Sequence, residues 1–210
     1  MNQSVIDQLL DSYPLITDML HKHQLRFILE QLEITLQKNV EGDVVELGCN
    51  EGTTSLFIRR LLDYYKSDKK LYVYDSFQGL PSVTTYDISK TERQFTAGGC
   101  KTEKEKLMAN FAEAKLDFPI INEGWFKEIP DHRYPDTISF AFFDGDFYSS
   151  IMDSFEKVYH KLSPNAIVCI HDFGWEVLPG VEQACQDFLS DKSETVTKAV
   201  GTAIGKLVKV

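Results

Sequence analysis

The chain has 210 residues, 43% of them hydrophobic and 26% charged, enough for one well-cored α/β domain and too little for two. A formal net charge of −10 and a sequence pI near 5.0 disfavour non-specific attraction to nucleic acid or to an anionic membrane surface. The expected partner is therefore a small molecule, a glycan or another protein.

The N-terminal stretch carries acids and no basic run ahead of its apolar residues, and no segment approaches about 18 uninterrupted apolar residues. The four cysteines, Cys49, Cys100, Cys169 and Cys185, contain no CxxC pair, so neither a zinc cluster nor a disulfide framework is indicated. A soluble protein of the reducing cytoplasm is expected.

Residues 4–38 place leucine and isoleucine at helical spacing with a break at Pro14, which predicts two helices. Residues 1–40 are expected to form a helical extension, serving as a lid or as a contact in a homodimer, ahead of a main domain over 41–210. "GDVVELG" predicts a short buried strand, "EGTTSLFIRRLLDYY" a helix with Thr53 and Thr54 in its first turn, and "KKLYVYDSF" a second strand. Residues 78–101 are polar and contain glycine, and a loop of that length in a compact domain points to function. A helix at "TEKEKLMANFAEA" and a strand at "FPIINEG" follow. Lys101, Lys104 and Lys106 alternate with glutamates there as a solvated face.

"ISFAFFD" is apolar at every position up to its aspartate apart from one serine, as a strand covered on both faces would be. Then come the helix "SSIMDSFEKVYHKL", a turn at "SPN", the strand "AIVCIHD", the helix "GVEQACQDFLS" and two β-rich pieces, "SETVTKAV" and "TAIGKLVKV". Strands alternating with helices imply right-handed crossovers and a doubly wound, mostly parallel sheet. The last two strands, with no helix between them, are expected as an antiparallel hairpin at its edge.

Open parallel sheets bind ligands beyond the carboxyl ends of their strands. After the first strand stands Glu46-x-Gly48-x-Asn50-x-Gly52, where small residues let the backbone approach a ligand ahead of a helix N-terminus. This loop resembles motif I of the class I S-adenosylmethionine methyltransferases, with Asn50 in place of the middle glycine, a mild change because asparagine tolerates left-handed angles. Asp75, ending the second strand, can accept the hydroxyls of a ribose. Absence of GxGxxG disfavours a nicotinamide dehydrogenase.

The segments "GDVVELGCNEGTTSLFIRRLL", "LYVYDSFQGLP", "NEGWFKEIPD", "FFDGDFYSSIMDSFEKVYHKLSPNAIVCIHDFG" and "GVEQACQDF" resemble, in the same order, the macrocin O-methyltransferase-like family. The resemblance implies a Rossmann-like sheet and methyl transfer from S-adenosylmethionine to a hydroxyl of a sugar or other small molecule. It implies cofactor contacts at Glu46, Gly48, Asn50, Gly52, Asp75 and Ser76. It also implies a divalent metal, Mg²⁺ or Mn²⁺, held after the fourth and fifth strands, which here means Asp144, His171 and Asp172. The family has an aspartate where this chain has His171, and imidazole suits Mn, Fe, Ni or Zn better than Mg.

Asp144 and His171 are the expected catalytic residues, aided by a cation that lowers the acceptor hydroxyl's pKa. Two other readings stay open: a metal-free enzyme with His171 as general base, and a non-catalytic module that binds S-adenosylmethionine. Asp146 is either a helix cap or a further catalytic group, and Trp125 and Phe126 either pack in the core or approach the adenine. His21, His23, His132 and His160 are expected to be solvated.

Overall fold

A computed structural model describes residues 3–210. Two N-terminal helices, α1 (Val5–Ser12) and α2 (Lys22–Gln37), precede β1 (Asp43–Leu47), α3 (Thr53–Tyr64) and β2 (Leu71–Asp75). After the long loop come α4 (Lys104–Ala114), β3 (Ile120–Glu123), β4 (Ile138–Phe143), α5 (Tyr148–Val158), β5 (Leu162–Ile170) and α6 (Pro179–Leu189). Two short strands, β6 (Thr197–Lys198) and β7 (Gly205–Val208), end the fold. The seven strands lie in the order β3-β2-β1-β4-β5-β7-β6. All pairs are parallel except those of β7 with β5 and β6, as the expected terminal hairpin requires.

β4 shows why the sheet is covered on both sides, since every one of its residues is buried. Phe140 and Phe142 join the core layer beneath α1, α2, α3 and α4, whereas Ile138, Ala141 and Phe143 join the layer beneath α5 and α6. Strict alternation would put Ile138 and Phe140 on one face. A register shift between them, a β-bulge against β5, sends them to opposite faces. The N-terminal helices contribute Ile6, Leu10, Leu25, Ile28 and Leu32 to the first layer, so they share the core of the sheet.

Two expectations about elements are corrected. "SPN" is no free turn: it lies within β5, and Asn165 takes a left-handed φ of 67°, which lets the strand absorb the extra residues while its register with β4 jumps. The segment "SETVTKAV" pairs only at Thr197 and Lys198, because Glu194 is drawn into a network with Tyr159 and Lys209 instead of extending a ladder.

The strand order reverses at β1, which has β2 on one side and β4 on the other. The exits of β1, β2, β4 and β5 therefore surround one crevice, where open α/β sheets hold their ligands.

Candidate active site

A cavity of about 930 Å³ opens at that crevice. Gly48, Asn50, Asp75 and Ser76 line one half, with Trp125 and Phe126 at its margin. Asp144, Asp146, His171 and Asp172 line the other, together with Gln24, Arg93, Phe95 and Trp175.

The first half is held by main chain. Gly48 has a φ of 91°, and a Cβ there would lie 2.0 Å from the Asp144 carbonyl oxygen, so only glycine lets β1 and β4 end this close together. Asn50 adopts the left-handed conformation anticipated for it, with φ of 46°. Its amide N–H donates to Asp75 Oδ2 at 2.9 Å, and its side-chain NH₂ donates to the Cys100 carbonyl at 2.8 Å, closing the end of the long loop onto the crevice. Phe77 N–H donates to Asp75 Oδ1 at 2.8 Å. Each carboxylate oxygen keeps a second lone pair for a ligand hydroxyl. Burial pushes the Asp75 carboxyl up, against the pull of those backbone donors.

Glu46 and Gly52 are not in the lining. Glu46 is buried behind it and accepts from the Ser55 hydroxyl in the first turn of α3, so it joins β1 to α3. Burial raises its carboxyl well above the usual range. Gly52, also left-handed, is the N-cap of α3, and a Cβ on it would strike Leu107 of α4.

The second half is held by side chains. His171 N–H still continues the sheet by donating to the Phe143 carbonyl at 2.9 Å, and the ring is turned toward the exit of β4. Its Nδ1 lies 2.7 Å from Asp144 Oδ1 and 3.2 Å from Asp172 Oδ2. Burial alone would lower the imidazole pKa, but these two carboxylates outweigh it and raise it well above its ordinary value. Asp146 and Asp172 both carry positive φ, 60° and 56°, a strained backbone that turns two acids into the crevice. Burial, then the charges of Asp144 and Asp172, push the Asp146 carboxyl well up.

One ligand atom from each of Asp144, His171 and Asp172 falls within 4.8 Å of the others, and among the described residues they form the sole such cluster. Two carboxylates at that spacing suit a divalent cation. The imidazole suits it only if its Nδ1 lone pair is free of a proton.

Several residues here were not foreseen. Gln24, buried in the first turn of α2, places its side-chain nitrogen 3.2 Å from His171 Nε2. Arg93, in the long loop, lies 4.8 Å from the ring centre of Phe95 and 5.2 Å from that of Trp175, and these two rings meet edge to face. Asp87 anchors that loop: fully buried, it accepts from Thr84 N–H at 2.9 Å and from Tyr148 N–H, at the start of α5, at 2.7 Å. His132 and His160 are exposed, as expected; His21 and His23 are exposed too, but stack on one another at the cavity rim.

Comparison with known proteins decides what this crevice belongs to. The sequence pattern of the macrocin O-methyltransferases (TylF) matches residues 5–202. The chain belongs to that family. It is 28% identical over 186 residues to an 8-demethyl-8-(2,3-dimethoxy-alpha-L-rhamnosyl)-tetracenomycin-C 4'-O-methyltransferase of Streptomyces olivaceus, covering 82% of this chain and 68% of that protein. It is also 28% identical over 187 residues to a mycinamicin III 3''-O-methyltransferase of Micromonospora griseorubida, covering 85% and 72%. Among solved structures the O-methyltransferase NovP superposes with a TM-score of 0.78 at 23% identity, over 91% of this chain and 81% of that one. An O-methyltransferase of Bacillus cereus in complex with SAH superposes at 0.60 with 16% identity, over 97% and 89%.

This macrocin-family O-methyltransferase thus draws its methyl group from S-adenosylmethionine. No described helix is long and apolar enough to cross a membrane.

Proposed function

We propose that this enzyme methylates a hydroxyl of a sugar, free or carried on a small molecule. The donor lies along Gly48, Asn50, Asp75 and Ser76, and the acceptor hydroxyl lies beside Asp144, Asp146 and Asp172. The observation that carries this reading is the meeting, in one cavity, of a glycine-opened cradle with an acid able to hold ribose and a second wall of three aspartates around a histidine. Both relatives named above are O-methyltransferases, and the name of the one from Streptomyces olivaceus gives a rhamnosyl-bearing acceptor, which supports the choice of a sugar hydroxyl.

The transfer is a single displacement. An acceptor oxygen lone pair forms the new bond to the methyl carbon, the carbon–sulfur bond breaks, and its electron pair stays on sulfur to give neutral S-adenosylhomocysteine. The hydroxyl proton passes to a carboxylate, and Asp146 is placed for this, since it lines the cavity and no described group donates a hydrogen bond to it. Asp144 and Asp172 would hold a divalent cation. When bound, that cation supplies positive charge that lowers the acceptor hydroxyl's pKa. Positioning the oxygen in line with the sulfur–methyl bond provides much of the remaining acceleration.

The direct bond between His171 Nδ1 and Asp144 favours a second reading, in which the same residues orient the acceptor without a cation. Calorimetric titration of metal-stripped enzyme with S-adenosylmethionine, followed by turnover on a panel of glycosides and sugar nucleotides with Mg²⁺, Mn²⁺ or EDTA, tests both. Sugar-hydroxyl methylation that EDTA abolishes and Mg²⁺ or Mn²⁺ restores supports the metal-assisted form. Undiminished turnover in EDTA supports the second. Binding of the donor with no turnover across the panel removes the acceptor assignment.

A further inference from the structure

The mouth of the cavity carries positive charge that the methyl transfer itself does not use. Arg93, from the 78–101 loop, and Lys198, one of the two paired residues of β6, are both exposed and both line the cavity. The Gly174–Trp175 segment that follows β5 directs each of them there. The Lys198 ammonium donates to the Gly174 carbonyl at 2.7 Å, and its stem crosses Gly174, where a Cβ would sit 3.2 Å from Lys198 Cδ. The Arg93 guanidinium rests on the rings of Trp175 and Phe95. Among the described residues neither cation forms an ion pair, although the chain as a whole has a net charge of −10. Gly174 takes one ammonium N–H and leaves two, and stacking on a ring leaves the N–H edge of a guanidinium free.

We propose that Arg93 and Lys198 form an anion subsite for the acceptor, so that the enzyme takes its sugar in phosphorylated form, as a sugar phosphate or a nucleoside diphosphate sugar. The proposal rests on the sugar-hydroxyl reading above. Deeper in the same cavity stand Asp144, Asp146 and Asp172, which by themselves repel an anionic acceptor. Two fixed cations at the mouth offset that repulsion and seat the phosphate there through charge-assisted hydrogen bonds, with the sugar directed inward to Asp146. A neutral glycoside would gain nothing from them. The terminal hairpin thereby acquires a task, because pairing Thr197 and Lys198 with Lys206 and Gly205 fixes the lysine beside the exit of β5. The carboxylate of S-adenosylmethionine is the other anion that enters the crevice, and filling the donor site first separates the two.

The test begins with metal-stripped full-length enzyme in EDTA, saturated with S-adenosylhomocysteine and titrated calorimetrically with inorganic pyrophosphate and with uridine diphosphate. Both are expected to bind, more weakly as salt rises. Combining Arg93→Met with Lys198→Met should weaken binding by at least about tenfold. No binding to the saturated enzyme, or equal binding by the double variant, overturns the subsite. Binding that appears only without S-adenosylhomocysteine also overturns it, since the cations would then serve the donor's carboxylate.

Turnover is then compared on one sugar offered as its methyl glycoside, its 1-phosphate and its nucleoside diphosphate. A phosphorylated form is expected to exceed the methyl glycoside in kcat/KM by at least about tenfold, and Lys198→Met should narrow that ratio about threefold to tenfold through KM. The better of the two phosphorylated forms identifies the source of the phosphate. Equal or better use of the methyl glycoside overturns the proposal and leaves the sugar reading intact. Absence of turnover on all three overturns the sugar reading and the acceptor role with it, and the pyrophosphate titration then decides the anion subsite by itself.

Discussion

The two halves of the cavity, proposed above to hold donor and acceptor, are built by opposite means. Gly48, Asn50 and Asp75 come from the ends of two adjacent strands, and backbone N–H groups and carbonyls hold them. Gln24, Arg93, His171 and Trp175 come from a helix, a loop and the exit of β5, and side chains hold them to one another. Backbone scaffolding tolerates side-chain change except where a Cβ has no room. A wall made of side chains can be rebuilt one residue at a time. An enzyme that keeps one methyl donor while its relatives act on different acceptors gains from that division.

Single substitutions should expose the contrast. The largest effect is expected from Asp144→Asn in the acceptor half, with kcat/KM for methylation falling by roughly 10²–10⁴. Calorimetry should show S-adenosylmethionine affinity changed by less than about threefold; a large loss of donor affinity would mean that the halves are not separable. Gly48→Ala should damage the donor half through the backbone. The clash with the Asp144 carbonyl and the left-handed φ together should cost about 3 kcal/mol in urea unfolding, with donor binding lost in parallel.

Asp87→Ala removes the acceptor for Tyr148 N–H and Thr84 N–H and should cost about 1–3 kcal/mol of stability, with the 78–101 loop cut faster by protease. Arg93→Ala sharpens the comparison with the smallest change. Acceptor KM should rise by less than about tenfold at unchanged kcat and unchanged stability, because the guanidinium braces two rings of the wall and is itself exposed.

The division also explains what the sequence disclosed. The burial of β4 on both faces could be read from "ISFAFF", and the left-handed turn at Asn50 from the spacing of its neighbouring glycines, because both are set within a few residues. Asp75, Asp144, His171 and Asp172 were legible as strand exits in an alternating pattern, and the structure gathers them at one crevice. Glu46 follows the same motif, yet strand alternation turns it behind the cavity to Ser55. Gln24 was hidden among the polar positions of an amphipathic helix, 147 residues from its partner. Asp87 looked like any loop acid, since its use depends on the N-terminus of α5 arriving beside it. "SPN" read as a turn because nothing local reports that β4 pairs with Leu162 before it and Ile167 after it, while Asn165 N–H donates to the Lys209 carbonyl.

The placement of β7 has a consequence for how the protein is made. Residues 205–208 fill the gap between β5 and β6, so a nascent chain leaving the ribosome holds β5 with one open edge until the segment after β6 has emerged. Val168 and Ile170 lie on that edge, apolar and ready to pair with another chain. During vectorial synthesis, solubility thus depends on a short strand that arrives late, and a stall in translation ahead of it would leave an almost complete sheet competent to aggregate.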